Sequence, residues 1–349
     1  QKSIKEMMRM KKVVAFGEIM LRFSPKGYLK LIQADNLDVS YAGAEANVCV
    51  SLANFGLDAA FVTKLPKNDV TQVALANLRK YRVDVDKIVY GGDRIGVYYL
   101  ERGASQRPSK VIYDRKYSSI SMSTREDYDW EKILEDAQWF HFTGITAALS
   151  DNMPGILEDA CRVAKEKGIT ISCDLNYRKN LWSKEKAREV MSNLVQYVDV
   201  LIGNEEDAAD ALGMYPADSD VIAGKLNYDG YANLARQISE KFGVKHVAFT
   251  LRTSYSASDN GWAGILYTGG KSYISKNYNI HLVDRVGGGD SFGAGLIYAL
   301  IQQMEPQDVI EFAVAASCLK QTIEYDFNLS TVDDVKRLMS GDGSGRVQR

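Results

Sequence analysis

The residues best able to do chemistry in this sequence lie together in Asp284-Arg285-Val286-Gly287-Gly288-Gly289-Asp290-Ser291-Phe292-Gly293-Ala294-Gly295. Three glycines precede a run in which Phe292, Leu296, Ile297 and Leu300 recur on one face of a helix. The glycines therefore fall at a helix N-terminus, where unpaired backbone N–H groups and the positive dipole end attract anions. Lacking a Cβ, they let the backbone approach a phosphate closely. A carboxylate at the same spot, Asp290, would repel incoming phosphate oxygens. Its place is explained if it faces a hydroxyl and takes its proton as a phosphoryl group arrives. Alone, the segment also fits a plain glycine turn with Asp290 as a helix cap. A Walker A loop is excluded, because no lysine follows the glycines. A dinucleotide fingerprint starting at Gly287 would need glycine at 292, which is Phe.

The elements that must position this turn read as alternating strand and helix. Val13 to Gly17, Ala60 to Thr63, Trp139 to Phe142, Ile169 to Cys173, Val198 to Ile202 and Val247 to Thr250 are short apolar strands. Ala44, Val48, Leu52 and Phe55 recur at helical spacing, and Gly56 stops that helix. Such alternation predicts an α/β fold, a doubly wound, mainly parallel sheet with helices on both faces, and ligands bind such sheets beyond the carboxyl ends of the strands. Two stretches, 20–41 and 96–117, break the pattern with extended segments rich in Tyr and Arg. They read either as an edge hairpin or as a small β-sheet lid over the site mouth. One domain over 12–338 is expected, with tails at 1–11 and 340–349 and a polar loop insertion at 215–230.

Composition narrows the function class. The 349 residues carry a formal net charge of −2 and are 46% hydrophobic, so a packed core is expected and a nucleic-acid-binding face is not. No apolar stretch is long enough to cross a bilayer, and the first dozen residues lack the apolar core of a secretory signal, so a cytoplasmic location is expected. The 4 cysteines form no C-x-x-C, and the 3 histidines (His141, His246 and His281) sit in or beside apolar runs. Both are read as structural, and no His/Cys metal cluster is expected.

The segment Gly287 to Gly295 resembles the signature of the ribokinase-like carbohydrate kinases, the PfkB family. The usual form is Asp-Thr-Thr-Gly-Ala-Gly-Asp; here Arg285 and Val286 replace the threonines and Gly288 the alanine. Gly43-Ala44-Glu45-Ala46-Asn47-Val48 resembles the family's first glycine motif. The resemblance runs from Val13 to Arg337. Within the family it is greatest to the 2-keto-3-deoxygluconate kinases, through Gly96-Val97-Tyr98, Tyr113-Asp114-Arg115, Asp174-Leu175-Asn176-Tyr177-Arg178 followed by Leu181-Trp182, and the turn Lys320 to Asp326.

The resemblance implies an ATP-dependent kinase of a sugar or sugar acid, with Asp290 as general base and Gly287, Gly288 and Gly289 as the anion hole. It implies substrate contacts from Gly43, Asn47, Tyr98, Tyr113, Arg115, Arg178 and Asp326. ATP contacts would come from Asn176, Asn204, Thr250, Arg252, Gly287 and Gly289, with Ala313 to Cys318 along the adenine side. Asn204-Glu205-Glu206-Asp207 is similar to the family's Asn-x-x-Glu motif, so Glu206 or Asp207 would handle Mg²⁺ through water. The replacements at 285 and 286 leave open a monovalent cation near Asp284. A homodimer or higher homo-oligomer through the β lid is implied as well. The residues independently favour an acid substrate, since a carboxylate needs cationic partners and Arg115, Arg178 and Arg107 offer planar forks. Kinases of other sugars, whether fructokinase-like or acting on ketodeoxygalactonate, and a regulator without turnover remain alternatives.

Overall fold

The computed structural model describes residues 12–216, 228–341 and 343. The expected tail at 1–11, most of the 340–349 tail and positions 217–227 of the expected insertion lie outside the described residues. Residues 228–230 are not loop but open the helix Tyr228–Phe242, whose apolar positions Leu234, Ala235 and Ile238 are buried.

In chain order the strands are β1 (Lys12–Phe16), β2 (Met20–Ser24), β3 (Asp38–Ala42), β4 (Asp58–Val62), β5 (Lys64–Leu65), β6 (Val89–Tyr90), β7 (Gly96–Glu101) and β8 (Lys110–Asp114). They continue with β9 (Trp139–Thr143), β10 (Thr170–Asp174), β11 (Val200–Gly203), β12 (His246–Ser254), β13 (Asp259–Thr268), β14 (Lys271–Ile274) and β15 (Tyr278–His281). The central sheet runs β14-β13-β12-β11-β10-β9-β1-β4, with β15 also on β13. From β4 to β12 every pairing is parallel. Those strands read as unbroken apolar runs because both faces are covered. In β1, Val13 and Ala15 enter one core layer while Val14 and Phe16 enter the other, as strand alternation requires.

Beyond β12 the sheet turns antiparallel through β13, β14 and β15. This edge was not anticipated from the sequence. Glycines at 261, 264, 269 and 270 interrupt its strand signal. Gly264 is there for packing: a Cβ on it would lie 2.8 Å from Val314 and 3.0 Å from Phe292.

The two irregular stretches do form a separate four-stranded sheet, β3-β2-β7-β8, with β2 and β7 parallel and its outer pairs antiparallel. It stands over the carboxyl ends of the central strands and supplies Met20, Tyr98, Tyr113 and Arg115 to the cleft there.

The helix Gly288–Ile301 is buried on nearly every side rather than on one face. It lies against Pro306–Lys320 closely enough that a Cβ on Gly295 would be 2.9 Å from the Ala313 Cα. That contact corrects the expectation for 313–318. Ala313 to Ser317 are 0% exposed, facing this helix and the sheet, and none of 313–318 lines the cleft.

Candidate active site

A cleft of about 740 Å³ opens between the lid and the carboxyl ends of β1, β10, β11 and β12. Of the residues read from the sequence, Gly43, Asn47, Tyr98, Tyr113, Arg115, Asn176, Arg178, Asn204, Glu206, Asp207, Thr250, Arg252, Gly287, Gly288, Gly289, Asp290 and Asp326 line it. Arg107 does not. Its guanidinium braces the lid loop, donating to Glu101, to the Arg102 carbonyl and to the Tyr28 carbonyl.

The glycine turn enters its helix through Gly287, whose φ of 84° favours glycine. Space forbids a side chain there too, since a Cβ would stand 2.2 Å from the Asp326 carbonyl oxygen. Gly288 abuts Gln321, and its carbonyl accepts from the Ser317 hydroxyl at 2.6 Å. Gly289 has nothing within 4 Å of its would-be Cβ, so its backbone is open to the cleft. Asp290 sits in the first turn, half-buried. Asn47 Nδ2 donates to Asp290 Oδ2 at 2.7 Å. Burial raises the Asp290 pKa to about 6, with the Asn47 bond pulling the other way. Asn47, expected to touch sugar, thus holds the candidate base. Gly43 serves close approach, because a Cβ on it would overlap the Glu18 carbonyl oxygen at 1.8 Å.

Beneath the turn lies an ionic network the sequence did not disclose. Arg22, on lid strand β2, is fully buried and donates to Asp284 Oδ2 and Asp326 Oδ1, each at 2.6 Å. Burial opposes its charge, but the two carboxylates more than offset that and hold its pKa above the usual arginine range. The Tyr98 hydroxyl donates to the same Asp326 carboxylate at 2.9 Å. The Asp326 carboxylate and Tyr98 hydroxyl, expected to contact substrate directly, are therefore already paired with each other and with Arg22. They pin the lid to the glycine turn.

The two arginines expected at the acid end differ. Arg115 is 9% exposed and donates through Nε and Nη2 to Glu18 Oε2, at 2.9 and 2.5 Å. Its charge is already balanced, and its guanidinium lies over the Tyr113 ring. Arg178 is exposed, donates only to the neighbouring Tyr177 carbonyl, and forms no ion pair among the described residues.

On the opposite side, Asn204 caps the helix Glu205–Leu212 by accepting from the Asp207 N–H at 2.8 Å. Asp207 Oδ1 accepts from the Tyr177 N–H, and burial lifts its pKa to about 6. Asp174, at the end of β10, is pushed well above the ordinary carboxylate range by burial and then by Asp207 and Asp290. Asn176, next in the chain but one, holds a φ of 37°, uncommon for a non-glycine residue. Glu45 lies deeper still. Its Oε1 accepts from the Thr143 N–H and from the Thr143 and Thr146 hydroxyls, while burial raises its pKa to about 7.

Glu18, Arg22 and Glu45 were missed as site residues. Arg22 alone left a trace, since it occupies the inward parity of β2 between buried Met20 and Ser24. An inward arginine needs buried acids, and its partners lie 262 and 304 residues away.

Comparison with known proteins identifies the family. A 2-dehydro-3-deoxygalactonokinase of Haloferax volcanii is 32% identical over 335 residues, covering 95% of this chain and 98% of that protein. A 2-dehydro-3-deoxygluconokinase of Bacillus subtilis is 26% identical, covering 88% of each. The crystal structure of a 2-dehydro-3-deoxygluconokinase from Thermotoga maritima is 52% identical, covers 95% of this chain and 99% of that one, and superposes with a TM-score of 0.91. The family model of the pfkB carbohydrate kinases matches residues 10–324, nearly the whole described chain, and with the ribokinase-like fold in place the protein belongs to that family of sugar kinases.

Proposed function

We propose that this chain transfers the γ-phosphoryl group of ATP to the terminal hydroxyl of 2-keto-3-deoxygluconate, giving 2-keto-3-deoxy-6-phosphogluconate and ADP. The observation that carries the reading is Asp290, fixed by Asn47 beside the open backbone of Gly289 at a helix mouth. Asp290 takes the hydroxyl proton as that oxygen bonds to phosphorus and the bond to the bridging oxygen of ADP breaks. The N–H groups of Gly287 and Gly289, with that of Gly288, which also donates to the Arg285 carbonyl at 3.3 Å, face the charge that develops on the phosphoryl oxygens. Arg178, free of any ion pair among the described residues, holds the substrate carboxylate. Arg115, balanced by Glu18, positions the carbon chain together with Tyr113. Thr250, Arg252, Asn176 and Asn204 form the nucleotide side.

The acidic set would also suit Mg²⁺: Asp207 lies close enough to Asp174 to disfavour its charge, with Glu206 at the rim. Mg²⁺ held there through water would neutralise phosphate charge. A second substrate reading is the galacto epimer, favoured by the Haloferax volcanii relative's name. We also propose a cytoplasmic enzyme, in keeping with ATP as donor and four buried free thiols. A dimer would form across the outer face of the lid, where Val39 and Ile112 are exposed.

A coupled ADP-release assay on ketodeoxygluconate, ketodeoxygalactonate, fructose and ribose tests the substrate. Ketodeoxygluconate should give the highest kcat/KM, and a preference for either neutral sugar refutes the reading. Asp290→Asn should lower kcat about 10²–10⁴-fold while nucleotide still binds, and a variant keeping a tenth of the rate removes Asp290 from the role.

A further inference from the structure

One charged group beneath the catalytic turn has no part in the chemistry above. Lys320 ends the helix Pro306–Lys320 and is 0% exposed. Its ammonium donates to the Asp284 carbonyl oxygen at 3.0 Å and reaches the Ile323 carbonyl oxygen at 3.4 Å. Among the described residues it forms no ion pair with any carboxylate, whereas Arg22 next to it takes both Asp284 and Asp326. Burying an ammonium without a paired acid is costly, so its placement demands a return. Burial pulls its pKa down and Arg22 adds to that, while Asp284, Asp326 and Asp290 favour the charge.

The two carbonyls belong to the two loops that build the turn. Asp284 opens the segment leading to Gly287, and the Val283 and Asp284 N–H groups donate to the Gln321 carbonyl. Ile323 belongs to the 321–326 loop, whose Asp326 carbonyl occupies the space beside Gly287. The ammonium therefore joins both loops directly under the anion hole. Carbonyl oxygens are also what replaces the hydration shell of a potassium ion in a selectivity filter. An ammonium on such ligands does the work of a bound monovalent cation, but is tethered to the chain.

We propose that Lys320 is a positioning residue for phosphoryl transfer: its tethered ammonium clamps the Asp284 and Ile323 carbonyls, fixes the anion-hole turn, and frees that turn from any need for a monovalent cation in solution. The inference rests on the reading of Gly287 to Asp290 as the phosphoryl-transfer turn.

Lys320→Met keeps the length and apolar stem and removes the charge. Its kcat should fall about 10²-fold with the sugar KM little changed, as displacement of a catalytic group by about 1 Å does. Lys320→Ala should regain turnover with ammonium or potassium chloride and not with tetramethylammonium chloride. The wild-type protein should turn over equally in tetramethylammonium and potassium buffers. A Lys320→Met enzyme with wild-type kcat, no rescue of Lys320→Ala, or potassium activation of the wild type overturns the proposal. The wild-type arm stays decisive if neither variant folds. Hydrogen exchange at the 287–290 amides gives a readout independent of the sugar. Faster exchange confined to that turn in Lys320→Met supports the clamp even if the substrate assignment fails, and unchanged exchange refutes it.

Discussion

Replacing Asn47 by Ala isolates how the fold tunes Asp290. The Asn47 amide donates to Asp290 Oδ2 at 2.7 Å, and it is the largest influence opposing burial at that carboxyl. A hydrogen bond to a charged group contributes roughly 1.5–3 kcal/mol, and each pKa unit is about 1.36 kcal/mol, so its loss should raise the Asp290 pKa by about one to two units. The starting value is about 6. At pH 7 the wild-type carboxyl is then about nine-tenths ionised, and the variant's about half to a tenth. The acid limb of kcat/KM against pH, which reports the free enzyme, should move upward by the same one to two units. The loss should be about twofold to tenfold at pH 7 and largely vanish near pH 9.

Stability carries the same signature. Asp290 titrates near 3.8 in an unstructured chain and near 6 in the fold, so its contribution is fully present below pH 3.8 and is lost as pH rises through 6. Asn47→Ala extends that loss to higher pH, so its Tm deficit should be larger at pH 8 than at pH 5. An acid limb that stays in place, with a uniform drop in kcat/KM at every pH, would show that Asn47 acts on the sugar rather than on the base.

Two further substitutions test neighbouring claims. Gly287→Ala must place a Cβ 2.2 Å from the Asp326 carbonyl at a φ of 84°, so it should destabilise the fold by about 1–3 kcal/mol and lower kcat with it, as read by urea unfolding beside the kinase assay. Arg178→Gln should raise the KM for a sugar acid about tenfold or more and leave nucleotide affinity unchanged, as removal of one charge-assisted pair predicts; equal effects on a neutral sugar would place Arg178 elsewhere in the reaction.

What the sequence disclosed and what it hid divide along one physical line. Groups whose placement follows from local backbone, such as the glycine turn and the apolar parallel strands, were legible because period and residue type declare them. The candidate side chains other than Arg107 and the 313–318 segment were also brought to a single cleft. What could not be read is which of those side chains pair with each other. Tyr98 and Asp326 have the types that bind a sugar, yet they meet each other and Arg22 across more than two hundred residues. Arg115 has the type that binds a carboxylate, yet Glu18 reaches it first. The β13–β15 edge escaped because Gly264, in mid-strand, is there to admit helix side chains and so breaks the strand pattern.

Pairing, more than residue type, therefore separates the cations that build this cleft from those that serve it. Arg22, Arg115 and Lys320 are buried with their charges met by chain oxygens, and removing any of them leaves an unanswered acid or carbonyl in the core. Arg178 and Arg252 line the same cleft, are exposed to it, and form no ion pair among the described residues. Arg285 beside Arg252 is pushed down by burial and then by that neighbour, an arrangement that an anion between them would relieve. A cleft that balances its structural cations internally and leaves Arg178 and Arg252 outside any ion pair among the described residues, over a carboxyl tuned to about 6, suits two anionic ligands. The sugar acid would answer Arg178 and the nucleotide Arg252. The unpaired pair should accordingly control KM for the two substrates separately, and the paired set should control kcat and stability together.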